Sequence, residues 1–333
     1  MRASPASGPL TVACASASLL LLFFFVSSAA ASSGDRDSLF INCVQKRRWS
    51  YCRDGDDSTA NLPLSLRLTG WTCIQDARYH CSHDVTAMNL AAGGEVQQFY
   101  GKWPFTRVLG VQEPASVAFS ILNGYAHYRG YRSLRSRIPR WYAFRAAWLL
   151  NSLLNINAWI WSAVFHTRDF ASTEKLDYFS AIGAILFGAC LAIARAFEFQ
   201  YRTKTEQALL IAIPSVLYAC HIAYLSLWPF DYSYNMLAGI TVGMTSNAAW
   251  LLWAWRNRRT RRYAWKIVFV VVSVSAAMAL ELFDFPPWMW VFDAHSLWHA
   301  ATVPIVFVFY SFARDDVATD VRAGKGKGKH AMQ

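Results

Sequence analysis

Charge is scarce in this chain. Of 333 residues, 16% are Asp, Glu, Lys or Arg, against 55% hydrophobic and 16% aromatic. A soluble domain carries roughly 25% charged residues, so a freely soluble fold is disfavoured, and the mean hydropathy of +0.20 fits a membrane protein with some extramembrane mass. No Asn-x-Ser/Thr sequon occurs, so N-glycosylation is not expected. The cysteines contain no Cys-x-x-Cys pair, which disfavours a thiolate zinc site. Nothing implies a nucleotide or calcium. The net charge of +11 falls beside apolar runs, so it reads as membrane topology rather than nucleic-acid binding.

Residues 1–31 read as a signal peptide: Arg2 supplies the positive start, Leu19 to Val26 the apolar core and Ala29 to Ala31 a small-residue cleavage site. Cleavage places the mature N-terminus in the oxidising secretory lumen and removes Cys14. Residues 32–112 form a polar region holding Cys43, Cys52, Cys73 and Cys81, a set of four with three possible connectivities and two expected disulfides. Cys190 and Cys220 lie inside apolar segments and read as packing residues.

The expected fold is all-α: seven transmembrane helices across 113–313, behind the small disulfide-bonded lumenal domain and before a basic cytosolic tail at 314–333. The apolar segments fall near 113–128, 141–165, 178–197, 207–227, 235–255, 264–283 and 294–313, most reaching the ~20 residues a span needs. Arginines crowd alternate connections (Arg129 to Arg140, Arg195 to Lys204, Arg256 to Lys266), while the intervening ones are short and acidic or mixed. Basic loops face the cytosol. The N-terminus is then lumenal and the C-terminus, with Lys325, Lys327 and Lys329, cytosolic.

That topology gathers polar residues at one membrane face. His295 and His299 are one helical turn apart, as are Ser162 and His166, each pair at the lumenal end of its segment. Asp177 opens the third segment there, and Asp293 and Asp284 precede the last. Three histidines are the usual protein ligands of a catalytic zinc, whose fourth position stays open. A zinc on His166, His295 and His299 would lower the pKa of a water and polarise a carbonyl. Asp177 could take the water's proton and Ser162 could hydrogen-bond a developing oxyanion. A Ser–His–Asp triad is a weaker reading, because Ser162 and His166 on one helix sit side by side rather than facing a substrate. Arg168 and Asp169 read as a local ion pair, with a substrate-phosphate contact from Arg168 the sharper alternative. His80, His83, His127 and His221 have no partner pattern and read as structural.

Five stretches, Asn157–Asp169, Thr173–Tyr178, Phe230–Asn235, Leu282–Pro287 and Asp293–His299, resemble the Per-one-like family of remodelling phospholipases, within the CREST superfamily of seven-span hydrolases. The resemblance implies removal of an acyl chain, generally the sn-2 chain, from the phosphatidylinositol of GPI-anchored proteins in the Golgi or endoplasmic reticulum membrane. It implies zinc on His166, His295 and His299, with Ser162 and Asp177 beside the metal; Asp293, Asp284, Arg168, Asp169 and Asn157 are read as supporting residues. GPI-anchored proteins, their lipid and membrane lipids are the implied partners; the oligomeric state is not assigned. The family's lumenal domain usually has six cysteines, and two of those positions are Arg47 and Ala77 here, consistent with one disulfide lost as a pair. Two alternatives compete: a ceramidase-like amidase, and a non-catalytic seven-span receptor or chaperone for GPI-anchored cargo.

Overall fold

The computed structural model describes residues 32–282 and 284–324; the signal-peptide stretch, Cys14 and the lysines from Lys325 onward lie outside them. Among the described residues the fold is all-α, with isolated β-bridges and no strand. The N-terminal region is built from α1 (Ser38–Tyr51), α2 (Leu64–Leu68) and α3 (Cys73–Ala91). The Asp37 side chain starts α1 by accepting from the Leu39 amide. α1 packs on α3, with Phe40, Cys81, Val85 and Phe99 as a small core. A core of that size needs covalent support, and two disulfides supply it, Cys43–Cys81 and Cys52–Cys73. Of the three connectivities open to the sequence, this one staples the two helices at two levels. Arg47 follows Cys43 by one turn and Ala77 precedes Cys81 by one turn, so both positions fall between the two bridges. That agrees with a third bridge lost as a pair; Arg47 instead pairs with Asp84 at 2.8 Å.

Seven long helices follow: α4 (Pro114–Arg137), α5 (Arg145–Thr167), α6 (Ala171–Ala196), α7 (Lys204–Leu227), α8 (Tyr232–Asn257), α9 (Ala264–Leu282) and α10 (Ala294–Arg322). They match the seven expected segments in order. By length and composition, α6, α7 and α10 are apolar enough to cross a membrane, and α9 carries a shorter apolar stretch, Ala264–Leu280. The others have lower hydropathy partly because they bury polar side chains such as Asn123, Asn151 and Asn235 inside the bundle. α4 packs on α5 and α10, α5 on α6, α6 on α8, and α9 on α8 and α10, whereas α7 leans lightly on α6. Trp148, Trp250, Trp253 and Phe312 pack together in the main buried cluster of the bundle.

α6 begins seven residues before its expected segment, which puts Asp177 in its second turn instead of at its start. Two helices overrun their segments by nine residues at the C-terminal end. α4 continues to Arg137, so Arg129 and Arg132 stand on helix rather than in a loop, each hydrogen-bonded to a tyrosine four residues earlier. α10 continues through 314–322, the first part of the expected tail, because two of its acids are tied into the bundle. Arg195 meets Asp316 at 2.6 Å and Asp320 at 2.9 Å, Arg261 meets the same two at 2.8 and 2.7 Å, and the Tyr142 hydroxyl donates to Asp320. This network lies at the end of the bundle opposite the histidines.

The disulfide-bonded region is seated on the histidine end. Trp71 donates its indole N–H to the Gly110 carbonyl, and its ring lies between the guanidinium groups of Arg107 and Arg168 at 4.4 and 4.1 Å. Backbone bonds from Thr106 to Trp290, Gln112 to Thr167 and Glu113 to His166 complete the junction.

Candidate metal centre

α10 begins with a reciprocal cap: the Asp293 carboxylate accepts from the Ser296 amide, and the Ser296 hydroxyl accepts from the Asp293 amide. The cap fixes where the helix starts, and so places His295 in its first turn and His299 in its second. His166 reaches the same point from the last turn of α5. One ligand nitrogen of each of the three lies within 4.8 Å of the others. His166 and His299 are buried and His295 is half-buried.

The hydrogen bonds set the tautomers. His166 Nδ1 is 2.7 Å from the Glu113 carboxylate, which only accepts, so the proton sits on Nδ1 and Nε2 presents a lone pair. His299 Nδ1 is engaged at 3.0 Å by the Ser120 hydroxyl. His295 Nε2 approaches His166 Nε2 to 3.3 Å. Two nitrogens held ~2.0–2.1 Å from one tetrahedral ion are about 3.3 Å apart, so this pair is spaced as co-ligands. A carboxylate behind one ligand histidine and a hydroxyl behind another are the supporting contacts metal-binding imidazoles use. The donor set therefore fits a tetrahedral cation with three protein ligands.

Lys102 bonds Glu113 at 2.8 Å and lies 3.5 Å from Asp169. Burial works against the Lys102 charge, yet the two carboxylates hold its pKa above the usual lysine value. Asp177, half-buried near the start of α6, lies within electrostatic reach of His166, His295 and Lys102. Ser162 is buried and meets the Ser120 hydroxyl at 3.0 Å, so Ser120 bridges Ser162 and His299. His166 spends its Nδ1 on Glu113 rather than on Ser162, which leaves the serine-triad reading without its central hydrogen bond.

The remaining expected residues scatter around this centre. Asp293 is the cap of α10. Asp284 receives the Gln98 amide and the Trp103 indole N–H, tying the α9–α10 connection to the disulfide-bonded region. Arg168 donates to Gln112 and to the Asp169 carbonyl, while the Asp169 carboxylate turns to Lys102, so the expected local ion pair is a backbone contact. Asn157 bonds Ser180 on α6, below the histidines. Sequence reasoning missed Glu113, Ser120 and Lys102. Glu113 lies in a Gln-Glu-Pro stretch that signals a turn, and Ser120 is one small polar residue in an otherwise ordinary helix.

Residues 63–317 match the Per1-like family. The chain belongs to that family. Among curated Per1-like relatives, the GPI-specific phospholipase A2-like PGAP3 of Xenopus tropicalis is 45% identical over 287 residues, covering 85% of this chain and 90% of that protein. The human protein of the same name is 38% identical over 287 residues, covering 85% and 88%. The PER1 homolog of Schizosaccharomyces pombe is 38% identical over 305 residues, covering 89% and 91%. No solved structure matches the chain.

Glu113→Gln isolates the supporting carboxylate of this Per1-like site. The amide still accepts from His166 but is neutral, so metal affinity is expected to fall ~10–100-fold, measured by chelator competition on purified protein. Unchanged affinity would show that Glu113 serves only the junction with Lys102.

Proposed function

We propose that this chain is a membrane-embedded ester hydrolase of GPI-anchor lipid remodelling, removing an acyl chain, the sn-2 chain, from the phosphatidylinositol of GPI-anchored proteins. The observation that carries the reading is the convergence of three histidines, one backed by a carboxylate and one by a hydroxyl, at the end of a helix bundle. The names of its relatives point to the same substrate. The chain spans the membrane seven times, with its N-terminus and the histidines lumenal and its C-terminus cytosolic, in the Golgi or endoplasmic reticulum.

His166, His295 and His299 would hold a zinc ion, which would supply Lewis acidity to an ester carbonyl and to a water. Asp177 accepts the proton that water loses on attack and returns it to the departing glycerol oxygen, giving a lysolipid and a fatty acid. Ser162, positioned by Ser120, donates to the negative charge that grows on the carbonyl oxygen. Glu113 fixes the His166 tautomer, and Lys102 balances the charge of Glu113. The disulfide-bonded region, seated over this end of the bundle, leaves the substrate to enter laterally from the leaflet that holds its chains.

The test is mass spectrometry of GPI lipids in cells lacking the activity, re-expressing either wild type or Asp177→Ala at matched level and location. Wild type is expected to yield the lyso or chain-exchanged species, and the variant at least ~100-fold less. Equal restoration would mean that the chain assists remodelling without catalysing it. Restoration by neither would move the substrate to another class, an amide first.

A further inference from the structure

A second feature lies along the bundle below the histidines. α7 stands off its neighbours: of its residues only His221 and Leu225 are buried, and Pro214 interrupts its hydrogen bonding midway. Between α7 and the pair α5–α6 runs a cavity of about 900 Å³, near the upper end of ordinary ligand-pocket volumes. Its wall on α6 is the stripe Ser180, Gly183, Phe187, Cys190 and Ala194, flanked by Leu186 and Leu191. The stripe positions recur every three or four residues, a register that Leu176 continues at the top, and Asp177 lies one helical turn above Ser180. The upper rim of the cavity, at Ser180, therefore lies about 4.5 Å along the helix from the proposed proton acceptor.

Its chemistry is graded. At the histidine end the rim is polar, with Asn157 donating to Ser180 at 3.1 Å. Between the ends the lining is largely apolar, with Leu154 of α5, Phe187 of α6 and Pro214 of α7. At the far end Gln200, Arg202 and Gln207 close it with polar groups. The stripe from Ser180 to Ala194 covers about 21 Å at the helical rise of 1.5 Å per residue. Gly183 leaves room for Tyr218, since a Cβ there would lie 2.9 Å from the Tyr218 hydroxyl oxygen. Tyr218 in turn donates to the Phe179 carbonyl at 2.8 Å, holding α7 at this spacing.

We propose that this cavity is the acyl-chain channel of the ester substrate: the chain to be removed enters past Ser180 and runs down α6 with its terminal methyl toward Ala194. The proposal rests on the ester-hydrolase reading for its occupant. The channel ends at polar groups, so it sets an upper limit on chain length. Cys190 stands near that floor and Gly183 near the entrance.

The experiment has two arms on full-length protein in phosphatidylcholine vesicles. In the first, phosphatidylinositol carries a diazirine on its sn-2 chain, either beside the ester or near the terminal methyl, and the cross-linked residues are mapped. The channel predicts that the first label marks Ser180 and Gly183 and the second Cys190 and Ala194. Identical maps for both labels, or labels spread evenly over α8 and α9, would overturn it and leave ordinary membrane lipid as the occupant. In the second arm, Cys190→Trp is compared with wild type on oleoyl and octanoyl esters. Excluding about two methylene positions should lower the oleoyl-to-octanoyl turnover ratio roughly tenfold; an unchanged ratio would count against the channel. If wild type hydrolyses neither ester, the hydrolase reading fails, and the cross-linking map still decides whether the channel takes a chain.

Discussion

His299→Ala is expected to empty the metal centre and abolish remodelling while leaving membrane insertion intact. His299 is buried, and its Nδ1 is committed to Ser120, so its other nitrogen is the one turned to His166 and His295. Losing a supporting contact already costs about 10–100-fold in metal affinity, so losing a ligand should cost more than a hundredfold and carry activity down with it. Insertion depends on the apolar length of α6, α7 and α10 and is untouched by one imidazole. His127→Ala is the matched control. His127 is also buried, but it bonds the Tyr310 hydroxyl at 2.9 Å, away from the cluster, and its loss should leave metal content unchanged. The measurement is metal per protein by mass spectrometry beside GPI-lipid analysis from the same cells. Wild-type metal content and activity in His299→Ala would sink the proposed centre.

Asp316→Ala is expected to cause the largest loss of stability. Asp316 is fully buried and accepts from both Arg195 and Arg261; without it, two guanidinium groups share Asp320 alone. Removing one partner of a buried ionic group costs about 3–5 kcal/mol, because the remaining charge cannot be hydrated. Asp315 makes the comparison sharp. It pairs with Lys266 at 2.6 Å but is exposed, so Asp315→Ala should cost less than about 1 kcal/mol. Thermal unfolding in detergent reads both. Asp316 and His299 are seventeen positions apart on α10, about 25 Å along the axis, so metal affinity in surviving Asp316→Ala protein should stay near wild type. Equal stability for the two variants would mean the network is not an anchor.

Much of the architecture was legible because helices declare themselves locally. Seven apolar segments became seven long helices in the expected order, since spacing, turn residues and apolar length act over short stretches of chain. The four cysteines forming two disulfides also followed from counting, but which cysteine bonds which depended on α1 lying against α3. The helix overruns were not legible. Arg129 and Arg132 look like loop charges until tyrosines on the preceding turn hold them, and Asp316 and Asp320 look like tail residues until Arg195 and Arg261 arrive from other helices.

The candidate site divides along the same line. The sequence by itself determined the histidine pair at one-turn spacing on α10 and a third histidine ending another helix, because each is a relation within one segment. Only the tertiary structure decided that Glu113 backs His166, that Ser120 stands between Ser162 and His299, that Lys102 neutralises Glu113, and that Asn157 and Asp284 serve other contacts. Those assignments join residues far apart along the chain. They arise when whole helices pack and each buried donor or acceptor must find a partner, a condition set by the three-dimensional neighbourhood and by no local pattern.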